Sequence, residues 1–136
     1  QKLAPTLALP AYFTALCLIM KGQENEAQRH LETLPADLTV RLAGEAIVAA
    51  RLGDRTKSDR KLEQLASIYG DAASYQFAQA YVQRGEADRA LAALARGFAV
   101  GDPGLNTLAV DPLFDPIRKD RRFVETVRRL EAADRD

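Results

Sequence analysis

Apolar positions recur along much of this chain with the period of a helix. Ala27, Leu31 and Leu34, then Leu62 and Leu65, then Ala90, Leu91 and Leu94 follow one another at helical spacing, and charged residues fill the positions between. That spacing gathers the apolar side chains on one face of each helix and the charges on the other. Each stretch follows another helical stretch across a glycine, as in Ala11–Lys21 followed by Glu24–Leu34. The elements expected are therefore pairs of helices joined by tight turns.

The pairs repeat. Gly22, Gly53 and Gly85 lie 31 and 32 residues apart, and the same two intervals separate Ala15, Ala46 and Ala78. They also separate Ala27, Ser58 and Ala90, and Leu31, Leu62 and Leu94. Four columns in one register are the mark of an internal repeat. The short side chains have a steric reason, since two helices approach to about 8 Å only where nothing bulky stands between them. Glycine supplies the left-handed residue that ends the first helix of each pair within a tight turn. Pro35, Gly70 and Pro103 close the three units.

These residues resemble the tetratricopeptide repeat, a helix-turn-helix unit of about 34 residues. Its order of small residue, large apolar or aromatic residue, glycine, alanine and bulky apolar residue is matched best by Ala78, Tyr81, Gly85, Ala90 and Leu94. Ala15, Leu18, Gly22, Ala27 and Leu31 follow it in the first unit, and Ala46, Ala49, Gly53, Ser58 and Leu62 more loosely in the second. Two features depart from the family: the intervals are two or three residues short, and no tryptophan opens a repeat. Shortened second helices or turns account for the first departure. Pro5 falls where the closing proline of a preceding unit would stand, and the chain opens on Gln1 rather than Met. Both read as a segment of a larger protein. The resemblance implies an all-α fold, an α-α superhelix of about three such units at residues 8–38, 39–70 and 71–103. A C-terminal cap at 104–136 completes what is expected to be a single domain over 1–136.

After Pro103 the register is lost. Asp111-Pro112 and Asp115-Pro116 each join a capping side chain to a proline suited to the first helical position, so each announces a short helical turn. Asp120 can cap a last helix whose Phe123, Val127 and Leu130 share a face, with Val124 widening the stripe. That helix is expected to dock on the third unit, as the exposed end of a repeat array requires. Leu108, Asp111, Pro112, Phe114, Asp115, Arg118, Asp120, Arg122 and Phe123 resemble the closing stretch of tetratricopeptide regions at the C-termini of bacterial signalling proteins. Those proteins include class III adenylate cyclases, winged-helix transcriptional regulators and serine/threonine kinases. Arg121 stands where that pattern usually has proline. The resemblance implies a sensory or scaffolding appendage whose output domain lies elsewhere.

Composition narrows the partners. Of 136 residues, 47% are hydrophobic and 28% charged, which excludes disorder and bare linker, and 19 basic side chains balance 19 acidic ones. A formal charge of zero provides no long-range field for a polyanion, so a nucleic-acid partner is not expected. The single cysteine, Cys17, can form no internal disulfide. Leu3 to Met20 is uncharged, but Pro5 and Pro10 interrupt it. The unbroken part, Ala11–Met20, is about half of what a membrane span needs, so a buried helix is expected rather than insertion.

Candidate chemistry is sparse. His30 and Cys17 fit no zinc or nucleophile spacing, so His30 is read as a helix-surface residue. Gly101-Asp-Pro-Gly is a turn rather than a phosphate loop, and the aspartates at 102, 111, 115 and 120 lack the spacing of a calcium loop. Arg118, Lys119, Arg121 and Arg122 form a basic cluster without interleaved aromatics, read as a solvated face. No catalytic residue, cofactor or metal is expected.

In the tetratricopeptide family the first helix of each repeat lines the inner surface. The register places there Tyr12, Leu16, Ile19 and Met20 from the first unit and Ala43, Ile47, Ala50 and Arg51 from the second. Tyr75, Gln79, Val82 and Gln83 come from the third. This row lacks the lysine and asparagine set with which co-chaperone members grip a terminal carboxylate. It suits an amphipathic helix or extended segment read through spaced apolar anchors. The alternative is that these side chains pack only on one another or on a preceding repeat. The expected function is a non-enzymatic protein-interaction or scaffolding module for a peptide or partner domain. It would be cytoplasmic, or periplasmic where the parent is a membrane-bound regulator. Two other readings stand beside it: a homodimerisation module of a larger signalling protein, and a repeat segment of a larger enzyme such as a glycosyltransferase.

Overall fold

The computed structural model describes residues 8–135, with side chains from Pro10 to Ala133. Every regular element in it is helical, and no strand occurs among the described residues. Leu3–Leu7, including Pro5, lie outside them. The fold comprises two compact units, within residues 1–70 and 71–136.

In the first unit, α1 (Ala8–Met20) pairs with α2 (Glu24–Leu31), and α3 (Thr39–Arg51) pairs with α4 (Arg55–Tyr69). α3 also packs on α1 and α2. α1 begins three residues earlier than Ala11, because proline is tolerated in a first turn, where its missing N–H had no partner to lose. α2 ends at Leu31 instead of Leu34: Thr33 Oγ1 donates to the His30 carbonyl at 2.6 Å and the chain turns toward Pro35. At eight residues α2 is shorter than the about 12 that an isolated helix needs, so packing holds it. Ala27, Leu31 and Leu34 are all fully buried.

The second unit opens on a 3₁₀ turn, Gly70–Ala73, of which Gly70 closes α4. α5 (Ser74–Gln83) and α6 (Ala87–Val100) form its hairpin. Two 3₁₀ segments, Pro103–Val110 and Pro112–Ile117, then lead to α7 (Arg121–Arg135). Both segments pack on α5, and α7 packs on α6 and on Pro103–Val110. A second cluster forms here: the Phe114 ring lies 5.5 Å from that of Tyr75 and 5.7 Å from that of Phe123.

The three hairpins share one local construction. Gly22, Gly53 and Gly85 have φ of 75°, 84° and 77°, the left-handed conformation that glycine adopts without strain. Each N–H bonds back three residues, to Ile19, Ala50 and Val82, and the following N–H reaches Leu18, Ala49 and Tyr81 at 2.8 Å. This paired closure satisfies carbonyls that the helix end would otherwise leave open. Behind the turns, Ala15, Ala46 and Ala78 are fully buried, as are Ala27, Ser58 and Ala90. Ser58 Oγ donates to the Ala46 carbonyl at 2.8 Å, so these two columns meet in the second hairpin.

Three expectations for the C-terminal stretch change. Asp111 caps as expected, accepting from Leu113 N at 2.9 Å, but Asp115 does not: one 3₁₀ segment runs through Pro116, and Asp115 pairs with Arg118 at 3.0 Å. Asp120 caps α7 through Arg122 N at 2.8 Å, yet Val124 is 38% exposed and adds nothing to the buried stripe. Phe123 alone on that face is fully covered, while Val127 and Leu130 are half-buried.

Candidate interaction surface

The side chains expected to line a partner groove divide sharply by exposure. Tyr12, Leu16 and Ile19 on α1, and Ala43 and Ile47 on α3, are buried. Ala50 is half-buried, Met20 is 41% exposed, and Arg51 is exposed while donating to Glu24 Oε1 at 3.0 Å. The accessible part of this row in the first unit thus reduces to the C-terminal ends of α1 and α3.

In the second unit the row is met by the chain itself. Tyr75, Gln79 and Val82 are buried and Gln83 is half-buried. The Tyr75 hydroxyl donates to Asp111 Oδ2 at 2.6 Å, and Gln79 Nε2 donates to the same oxygen at 2.8 Å. Gln83 Nε2 donates to the Leu113 carbonyl at 2.8 Å. Asp111, read from sequence as a cap alone, is therefore also the acceptor that fixes the C-terminal segment to α5. The signal was present in the spacing: Tyr75, Gln79 and Gln83 make a polar row at i, i+4 and i+8 along an otherwise apolar helix. Asp102 plays a parallel part, accepting from Gly104 N at 2.9 Å and from Tyr75 N, at the start of α5, at 3.0 Å. The backbone of Gly104 lies so close to Tyr75 that a Cβ there would stand 2.7 Å from the ring.

One carboxylate in the first unit is almost fully buried. Glu45 accepts from Gln28 of α2 at 2.7 Å and pairs with Lys61 of α4 at 3.3 Å and Arg41 of α3 at 3.4 Å. Burial pushes its carboxyl up, but the Gln28 donor and the two cations outweigh this and hold the pKa below the ordinary value. Arg41 also donates to the Leu34 carbonyl at 2.6 Å, closing the chain end beyond α2. The network joins three helices and points inward.

Two of the four residues of the basic cluster, Arg118 and Arg122, are engaged. Arg118 bonds the Ala109 and Asp111 carbonyls at 2.8 and 2.7 Å, and Arg122 pairs with Asp88 and Asp120 at 2.8 and 3.0 Å. Lys119 and Arg121 are exposed. His30 is half-buried beside Glu26, Arg29 and Thr33 in an open depression on α2. Among the described residues no three His, Cys, Asp or Glu side chains stand where they could hold a metal ion. No described helix is long and apolar enough to cross a membrane.

No family model, curated protein or solved structure matches the chain. What can be said of its role rests on its own residues.

Proposed function

We infer that the chain is a protein-binding scaffold built from helix-turn-helix repeats of the tetratricopeptide kind. The observation that carries this reading is the thrice-repeated hairpin, with the same two backbone hydrogen bonds closing the first helix at Gly22, Gly53 and Gly85. Repetition of one hairpin is how solenoid folds build an extended surface, and such surfaces serve to bind other proteins. The C-terminal motif supports an appendage of a bacterial signalling protein, and binding rather than catalysis is its part in that role. A partner segment would use the accessible members of the first-helix row in the first unit, Met20, Ala50 and Arg51.

Photo-crosslinking tests this. A benzophenone side chain is placed at Met20 or at Ala50, and a control at Glu63 on the charged face of α4, in cells that express the protein. A binding module yields a discrete protein adduct from the row and not from the control, and Arg51→Glu removes the Met20 adduct. Equal labelling at all three positions, or none above the control, defeats the reading.

A further inference from the structure

α2 is the short arm among the three hairpins. It has eight residues, where α4 has 15 and α6 has 14, and of its own side chains Ala27 and Leu31 are buried. A helix of that length does not hold in water by itself, so α2 persists through what it touches. Polar contacts tie it to α3 along its whole length. Glu24 accepts from Arg51 at its start, Gln28 donates to Glu45 at its middle, and the Leu34 carbonyl accepts from Arg41 just past its end. α4, the other helix packed on α3 in this unit's second hairpin, buries Ser58, Leu62 and Leu65, and the Ser58 hydroxyl bonds the Ala46 carbonyl without any charge.

Two of the three ties depend on a carboxylate. Glu45 is 3% exposed and meets Gln28 of α2, Lys61 of α4 and Arg41 of its own helix, while α1, which also packs on α3, brings no charged residue. Glu24 meets Arg51. A bond from its own backbone N–H, and then the Arg51 guanidinium, hold the Glu24 carboxyl below its ordinary value. The Glu45 carboxyl, pushed up by burial but held down more strongly by Gln28, Lys61 and Arg41, also lies below it. Such groups support the fold above their unfolded pKa and withdraw that support as pH falls through the folded one. Once Glu45 is protonated, Arg41 and Lys61 face a neutral group, and a covered cation without its counter-ion is costly. Lys61 is 24% exposed and lies nearer water than Arg41, which is 13% exposed and bonded to the chain just past α2. Hydrating Arg41 is thus coupled to moving that segment.

We propose that α2 is an acid-released arm, leaving α3 as one piece in acid while the α3–α4 hairpin stays folded. Local opening of this kind is drawn from the elements with the fewest buried apolar side chains, and α2 has the fewest of the three second helices. Its departure uncovers Arg41, Gly44 and Glu45 on α3 and frees Arg51 from Glu24. The device goes beyond the binding reading and stands whether or not a partner occupies Met20, Ala50 and Arg51.

Hydrogen exchange read by mass spectrometry on the whole chain tests it, at about pH 6 and about pH 4, with the intrinsic pH dependence of exchange divided out. Protection over residues 24–34 should fall roughly tenfold between the two, while that over 55–69 stays within about twofold. Glu45→Gln should show at the higher pH the weak 24–34 protection that the unaltered chain shows at the lower one, and little further loss in acid. Glu24→Gln lies outside the buried cluster and keeps the test open if Glu45→Gln fails to fold. It should lower 24–34 protection about threefold at the higher pH and leave 55–69 as it was. Constant protection over 24–34 overturns the proposal, and so does an equal loss over 24–34 and 55–69, which would mean that the unit opens as a whole. A folded Glu45→Gln chain that keeps both the protection and its full fall in acid overturns it too, as does a Glu24→Gln chain that exchanges like the unaltered one.

Discussion

Replacing Asp111 with alanine should loosen the C-terminal segment from α5 by an amount the geometry fixes. The carboxylate is 9% exposed and accepts three hydrogen bonds, from the Tyr75 hydroxyl, Gln79 Nε2 and Leu113 N. Each of the two side-chain bonds ends on an ionised acceptor, worth about 1.5–3 kcal/mol, and the lost cap adds about 1 kcal/mol. Water entering the gap recovers part of this, which leaves a cost of about 4 kcal/mol. With a urea dependence of about 2 kcal/mol per molar, the midpoint for the second unit should fall by roughly 2 M. Asp111→Asn keeps the shape but turns its amide donor toward other donors, so it should cost about half as much. The assay is urea titration followed by hydrogen exchange of the 71–136 amides, with Tyr75→Phe and the double variant completing a cycle. A midpoint drop under about 0.5 M for Asp111→Ala, or additivity of the two substitutions within about 0.5 kcal/mol, would refute the assignment.

Gly44→Ala should destabilise the first unit despite better helix propensity. The new Cβ would stand 2.7 and 2.9 Å from the two Leu31 methyls, and Leu31 is fully buried. Overpacking of about 2 kcal/mol outweighs a propensity gain of about 1, so a thermal melt should shift down by about 4 °C; a rise in the midpoint contradicts the packing argument. Acid should weaken the same unit. The Glu45 pKa is held below its ordinary value of 4.5, so its contribution is complete above that value and is lost as pH falls through the lower folded one. Urea midpoints measured downward from about pH 6 should fall most below pH 4.5, and Glu45→Gln should flatten that fall; an unchanged slope in the variant would count against the network.

The turns and columns were legible in the sequence because their causes are local. A glycine at positive φ and a pair of short side chains where helices cross are demanded by sterics within one hairpin. Exposure was harder to read. Leu16 and Ile47 have the same apolar character as residues of an open groove, and only tertiary packing shows them covered. Asp111 caps as its local signal says, and its second role stays hidden from that signal because it depends on Tyr75, thirty-six positions away. Asp115-Pro116 repeats the local signal of Asp111-Pro112, yet an extended 3₁₀ segment absorbs it. Val124 shares the helical spacing of Phe123, but α7 rests on a narrower base than that spacing assumes.

The bonds from α5 to the C-terminal segment set the size of the piece that can be moved between proteins. α1–α2 and α3–α4 tie their polar groups to one another, whereas α5–α6 alone would leave the Tyr75 hydroxyl, Gln79 and Gln83 without Asp111 and Leu113. Duplication or shuffling of the third hairpin by itself would carry a helix whose polar row has lost its acceptors. The transferable module at this end is therefore residues 71–136 as a whole, about twice the repeat that the periodicity suggests.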